Sequence, residues 1–458
     1  FAGASAFNQD LSSWDVSKVS NMVSMFSGAE AFNSDLGGWD VSAVEDMEKM
    51  FQKAAFFNSD LSAWDISKVT NMGGTFSDAV VFNSTLSLWD VSRVTSLKGM
   101  FDNAHAFDSD LESWDVSRVT NFGGMFVGAS SFKGVGLPGW KVSSALTTER
   151  MFAEATSFNS DISAWDVSQV TDMEKMFLDA PAFNSDINAW QVSSVINTER
   201  MFNSAKAFNS DISAWDVSNV VTMERMFASA TAFNGTLSAW DVSSVTTIRA
   251  MFDEATAYND DLSGWNTSRV TNMQRVFARA SSFNGNIANW DVSNVTNMEK
   301  MFYDALAFNG SVSSWDVSKV IAMELMFDNA EAFNQDLCEW GDKFPYSSAD
   351  DIFSGSGCTF QDTPQLDQQG PFCASSCGMF LSSPSSQSTP SASDPTKSPS
   401  SSLSPPAPPT PLTATTNDTS GPTPTLAATP ATSPSVHFVP SSLVLYLGFC
   451  VLNYLIWQ

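Results

Sequence analysis

Histidine is nearly missing from this 458-residue chain, with two, and so are tyrosine and cysteine, with five each. His105 and His437 stand in unrelated contexts, which leaves no material for a histidine-based catalytic or metal centre. Basic residues are scarce as well: 22 Lys and Arg face 50 Asp and Glu, for a net charge of −28. Nucleic acid binding needs clustered cations on phosphate and is excluded by that balance. No G-x-S-x-G, H-E-x-x-H, phosphate-binding glycine loop or EF-hand spacing occurs, so no reading of the chain as an enzyme finds support. Carboxylate pairs are abundant but recur throughout, whereas an active site normally occurs once.

What is present is repetition. Trp stands at 14, 39, 64, 89 and 114, and then every 25 residues from Trp140 to Trp340, with one residue inserted between Trp114 and Trp140. About fourteen 25-residue units therefore fill residues 1–340, too long a stretch for one globular core. Within a unit, Phe57 to Leu61 is short and bounded by Asn, Ser and Asp, which predicts a brief strand or extended corner. The spacing of Val69, Met72, Phe76 and Ala79 predicts a helix, with Ser67 as N-cap and Asp65 adding negative charge at its start. Alternating short strands and helices predict an α/β repeat solenoid of the leucine-rich-repeat type, its parallel strands stacked into a rod or arc roughly 65 Å long. Phe1 falls inside a unit, with neither an initiator Met nor a secretory leader before it, so a fragment or processed chain is expected.

The units, of the form F-N-x-D-L-S-x-W-D-V-S-x-V-T-N-M-x-x-M-F, resemble the BspA-like leucine-rich-repeat surface proteins of bacteria and protists over residues 1–340. That resemblance implies an extracellular, surface-attached protein, with adhesion as the role of some relatives. The sixth unit, Phe132-Lys133-Gly134-Val135-Gly136-Leu137-Pro138-Gly139-Trp140, lacks the usual Asn and Asp and predicts a bulge or bend.

Stacking turns sequence columns into surfaces. The Trp column and the Phe7, Phe32, Phe57 column read as core rather than as sugar-stacking platforms, and the Met22, Met47, Met72 column as adaptable filler rather than as metal-binding thioethers. The column Asn8, Asn33, Asn58, Asn83, Asn159, Asn184, Asn209 and Asn234 is expected to bond side chain to adjacent coil. One Asp column follows Trp, from Asp15 and Asp40 to Asp316, and reads as helix capping. Another precedes it: Asp10, Asp35, Asp60, Asp110, Asp161, Asp186, Asp211, Asp261 and Asp336. Like charges stacked about 5 Å apart repel by roughly 1 kcal/mol in water, so this second column requires exposure or cations. A solvated strip is the plain reading, and weak Ca²⁺ binding or attraction of a cationic partner the sharper one. Thr85, Thr236, Asn286 and Ser311 interrupt it and count against an ion in every coil.

Beyond Trp340 the period ends. Cys338, Cys358, Cys373 and Cys377 lie between there and about Leu381, which predicts a cap over residues 341–381 held by two disulfides, with three connectivities open and a zinc site disfavoured by irregular spacing. Residues 382–435 hold 13 of the 19 prolines among Ser, Thr and Ala, the composition of a disordered, O-glycosylated stalk. Residues 436–458 end in an apolar run from Leu443 to Trp457 with no basic flank. That pattern fits a GPI-attachment signal, with Ser420, Ala427 or Ala428 as attachment points, better than a single membrane span. Sequons at Asn83, Asn234, Asn266, Asn294, Asn309 and Asn417 agree with secretion, although the place of Asn83, Asn234 and Asn309 in the Asn column counts against their modification. The sum is a lipid-anchored surface protein that binds an extracellular protein or glycan, with a structural coat component organising divalent cations as the alternative.

Overall fold

The computed structural model describes residues 1–367 and 370–377. Twelve parallel bridges join one residue of each coil to its equivalent in the next, from Asn21↔Asp46 through Asn71↔Ser96 to Asn297↔Ala322. The coils therefore stack in register as a repeat solenoid, as the period requires.

The predicted helix does not form, and of the two readings of Phe57 to Leu61 the extended corner holds and the paired strand does not. Among the described residues there is no α-helix, only two short 3₁₀ turns at Leu137–Gly139 and Cys338–Lys343. The segment expected to be helical carries the bridge instead. From Met72 onward alternate amides reach across to the next coil: Met72 to Ser96 O at 3.2 Å, Gly74 to Lys98 O at 2.8 Å, Phe76 to Met100 O at 2.9 Å and Asp78 to Asp102 O at 2.6 Å. The intervening amides close local turns, Thr75 to Met72 O and Ser77 to Gly74 O. Gly74 at φ 63° and Asp78 at φ 57° are left-handed, and their equivalents recur coil after coil. A left-handed residue every fourth position is incompatible with an α-helix. Ser67 accordingly caps no helix; its amide donates to Asp65 Oδ1 at 3.0 Å in a local turn. The three-four-three spacing marks inward-facing positions of this ribbon of turns equally well, which is why periodicity misled. Phe57 to Leu61 is extended but pairs with nothing as a strand; both ends simply point inward.

The interior is a set of aromatic stacks. Phe76 lies 3.8 Å from Phe82 within its coil and 5.8 Å from Phe101 in the next, while Trp64 and Trp89 stack at 6.4 Å with rings 2° apart. Every Trp of the series except Trp14 is at most 4 % exposed, so the column is core and no sugar platform. From Trp39 onward every indole of the series except Trp315 also ties coils together: Trp64 Nε1 donates to Leu36 O at 2.9 Å and Trp215 Nε1 to Ile187 O at 3.0 Å. The Met column is fully buried with its Leu97, Phe122 and Ile248 replacements.

The extra residue of the sixth unit is absorbed without breaking the stack. Gly136 sits at φ 90°, and a Cβ there would lie 2.2 Å from the Glu112 nitrogen, so only glycine permits this approach. Leu137 then fills the aliphatic column, and Trp114 and Trp140 remain stacked at 6.3 Å.

The stack also runs past Trp340. The amides of Met323, Leu325, Phe327 and Asn329 donate to the carbonyls of Ser348, Asp350, Ile352 and Ser354, and Phe353 stacks on Phe327 at 6.0 Å. One further ribbon thus covers the last coil before the chain turns into the cap. There the two expected disulfides are nested, Cys338–Cys377 around Cys358–Cys373, with Cα separations of 5.3 and 4.6 Å. The stalk, the apolar tail, Asn417 and the attachment points Ser420, Ala427 and Ala428 lie outside the described residues.

Two substitutions test this core with opposite signs. Tyr258 takes the place of Phe in its column and its buried hydroxyl has no partner, so Tyr258→Phe is expected to raise unfolding stability by about 1 kcal/mol. Trp215→Phe leaves a void and removes the indole's bond to Ile187 O, which keeps only the Trp190 amide, and is expected to cost about 2–3 kcal/mol in the same denaturant titration.

Candidate functional site

Two surfaces emerge from the columns. The first is the pair of aspartate rails flanking the Trp positions. Each carboxylate accepts the amide of the residue two further on: Ser62 N–H to Asp60 Oδ1 at 2.9 Å, Ser67 N–H to Asp65 Oδ1 at 3.0 Å. The pattern repeats at Asp10, Asp35, Asp110, Asp161, Asp186, Asp211, Asp261 and Asp336. These are Asx turns, and they form two corners of each coil that keeps both aspartates. The serine hydroxyl and amide hold Asp65, Asp161 and Asp166 below the ordinary aspartate range, and backbone and side chain of Ser62 do the same for Asp60. Turn hydrogen bonds and full exposure thus answer the like-charge problem of a stacked acidic column. Among the described residues the one grouping of three ligand atoms within 4.8 Å is Asp336, Cys338 and Cys377, and both sulfurs are tied up in a disulfide. The rail carboxylates stand in a row and do not converge.

The Asn column behaves as expected. Asn83 N–H donates to Asn58 Oδ1 at 2.8 Å and Asn209 N–H to Asn184 Oδ1 at 2.8 Å, each amide oxygen receiving the next coil. Asp108 substitutes as acceptor for Lys133 N–H at 3.0 Å.

The second surface surrounds the bridges and was not legible beforehand. Two residues after each bridge position come an acidic and then a left-handed basic residue in several coils: Glu149-Arg150, Glu174-Lys175, Glu199-Arg200, Glu224-Arg225 and Glu299-Lys300. The recurring acid–base dyad before Met-Phe was the available signal. The fold links these side chains along the axis. Arg249 Nη1 donates to Glu224 at 2.6 Å, Arg249 Nε to Gln274 at 2.8 Å, Gln274 Nε2 to Glu299 at 2.7 Å, and Lys300 Nζ pairs with Glu299 at 3.1 Å. Alongside, Arg275 and Arg279 both hold Asp253 at 2.9 Å. Burial, then the neighbouring Arg249 and Arg200, lower the Arg225 pKa; burial, then Glu174 and Glu224, raise that of Glu199.

A shallow groove of about 680 Å³ opens on the same face between Glu48, Lys49, Asn71, Ser96, Lys98 and Asp102. Asp102 has its pKa raised to about 6, by burial first and then by Asp78 and Glu154, with Arg150 opposing. A second groove of about 580 Å³ is lined by His105, Gly128, Glu154 and Asp179, and there His105 Nδ1 lies 2.7 Å from Gly128 O. Charges fixed by mutual pairing along an open face suit recognition of an extended polar partner.

Fold and surface together define a repeat solenoid with a continuous charged face. A family profile described as "Mycoplasma protein of unknown function, DUF285" matches residues 1–87, 58–160, 135–240, 232–340 and 258–361, and the chain belongs to this family. No curated protein matches it. Similar solved structures include a leucine-rich cell surface protein from Faecalibacterium prausnitzii, 14% identical, covering 64% of this chain and 76% of that one with a TM-score of 0.30. A leucine-rich-repeat protein from Bacteroides ovatus is 10% identical and covers 74% and 80%, with a TM-score of 0.29. An internalin from Listeria monocytogenes is 9% identical and covers 58% and 85%, with a TM-score of 0.17. No helix among the described residues is long and apolar enough to cross a membrane.

Asp102 gives this face a pH signature. Its pKa is about 6 in the folded protein against 3.8 for an ordinary aspartate, so the folded state holds the proton more tightly and stability falls as pH rises through about 6. Asp102→Asn is expected to add about 1 kcal/mol at pH 7.5, a figure discounted for solvent screening, and almost nothing at pH 4. Thermal unfolding at the two pH values checks this; an equal gain at both would refute it.

Proposed function

We propose that this is a non-catalytic, BspA-like surface protein that binds an extracellular protein or glycan through the bridge face, carried on a stalk and held at the outer membrane leaflet by a GPI anchor. The observation that supports this most directly is the axial chain Glu224–Arg249–Gln274–Glu299–Lys300, which presents fixed charge over successive coils in place of one deep pocket. Many weak contacts made in register add through effective concentration, so affinity grows with the number of coils engaged. The nested disulfides fit an oxidising compartment. A coat component that gathers divalent cations is the second reading, favoured by the two rails of ionised aspartates.

The full chain, immobilised and screened against glycan and cell-surface protein arrays, is expected to yield a saturable ligand whose affinity drops at least tenfold in the double variant Arg249→Glu, Lys300→Glu. Binding indifferent to that reversal would remove the bridge face from the proposal. Divalent-ion-dependent self-assembly without any ligand would favour the coat. Phosphatidylinositol-specific phospholipase is expected to release the protein from cells, and retention on the cell would exclude the GPI anchor.

A further inference from the structure

The rail that precedes Trp is interrupted by a non-acidic residue at Thr85, Thr236, Asn286 and Ser311, and the structure separates these four into two kinds. Asn286 keeps the turn, its Oδ1 accepting the Ala288 amide at 3.1 Å as the aspartates do. Thr85, Thr236 and Ser311 are exposed, and their hydroxyls make no hydrogen bond within the described residues. In these three coils the turn bond has been given up and the fold gains nothing visible in return. What the three share is a hydroxyl residue two positions after an asparagine of the ladder, completing Asn83-Ser84-Thr85, Asn234-Gly235-Thr236 and Asn309-Gly310-Ser311.

The ladder leaves those asparagines open to modification, contrary to what their column suggested. Asn83 Oδ1 accepts Asp108 N–H at 2.8 Å, Asn234 Oδ1 accepts Asn259 N–H at 2.9 Å and Asn309 Oδ1 accepts Asn334 N–H at 3.1 Å. A backbone N–H can only donate, so the oxygen must face the stack and Nδ2 the other way. All three residues are exposed, and Nδ2 has no partner among the described residues. Asn266 is similar: it replaces an aspartate of the second rail, accepts Ser268 N–H at 3.2 Å through Oδ1, and keeps Nδ2 outward. Asn294 is the contrast. Its Nδ2 donates to Ser268 O at 2.9 Å and its Oδ1 accepts Lys319 Nζ at 2.6 Å. Asn219, in the same column but outside any sequon, makes the same backbone bond to Ser193 O.

We infer that Asn83, Asn234, Asn309 and Asn266 carry N-linked glycans and that Asn294 does not. In the transfer the anomeric carbon of a lipid-diphosphate-linked oligosaccharide leaves its phosphate oxygen and bonds Nδ2. The amide nitrogen gives up one proton and the lipid diphosphate departs. Because Oδ1 is untouched, the ladder bond survives glycosylation. The sugars stand on the Asn and Asp columns, whereas no bridge-position asparagine (Asn21, Asn71, Asn121, Asn197, Asn272 or Asn297) has Ser or Thr two residues on. The bridge positions thus offer no acceptor for N-linked sugar. This inference rests on the secreted reading above.

The test is glycopeptide mass spectrometry on the protein isolated from the cells that make it, with enzymatic deglycosylation in heavy-oxygen water to mark each occupied asparagine. Labelled aspartate at 83, 234, 309 and 266, with Asn294 unmodified, is the expected result. Sugar on Asn294 with bare ladder asparagines overturns the inference and leaves secretion standing. No sugar anywhere together with reduced Cys338 and Cys377 overturns both. As a second measurement, the triple variant Thr85→Asp, Thr236→Asp, Ser311→Asp should lose three glycans while its deglycosylated form melts no lower than the deglycosylated parent. A lower melting temperature would show that the hydroxyls serve the fold after all.

Discussion

Everything in this protein depends on one hydrogen-bonding constraint: a 25-residue coil cannot satisfy its own backbone. Alternate amides of the segment after each bridge, such as Gly74 and Phe76, find their acceptors only in the following coil, on Lys98 and Met100. A buried amide without a partner costs as much as a lost hydrogen bond, so an isolated coil has no stable form. The side chains follow the same rule, since Trp64 needs Leu36 O and Asn83 N–H needs Asn58 Oδ1. Stability here is a sum over neighbour interfaces, each nearly a copy of the last.

That constraint also explains how acidic residues can be stacked at all. Rail carboxylates serve as turn closers, accepting amides at about 3 Å from their own coil, and they face water. Opposite charges on the bridge face are arranged differently. Glu224, Arg249, Gln274 and Glu299 hold one another across coils rather than within them. One surface is therefore an interrupted anionic strip of independent turns, and the other a cross-linked mixture of charges with defined geometry. The second is the better substrate for specificity, because each charge has its position set by a partner.

Much of this was visible in the residues. The Trp step gives the number of coils, the alternation of Phe, Trp and Met with polar positions gives the core, and the four late cysteines give the two disulfides. The Asn column was legible as an inter-coil device. The helix over Ser67 to Ala79 was the main error, and its cause is specific: inward positions three and four apart are shared by a helix and by a ribbon of turns with left-handed residues at Gly74 and Asp78. Gly73-Gly74 and Gly123-Gly124 were the local evidence against a helix. The Glu-Arg and Glu-Lys dyads recur in the sequence, but only the stacking shows that they pair across coils.

The sequence by itself determined the period, the composition of the interior and the list of residues able to bear charge or sugar, because these depend only on spacing and side-chain chemistry. Tertiary structure alone decided which atom of each residue is spent. Whether Asn83 and Asn294 offer or withhold a nitrogen depends on the carbonyl or amide that the adjoining coil brings to them. The elevated pKa of Asp102 likewise comes from burial and then from Asp78 and Glu154, with Arg150 opposing; the three lie 24, 52 and 48 residues away along the chain, and stacking brings them near.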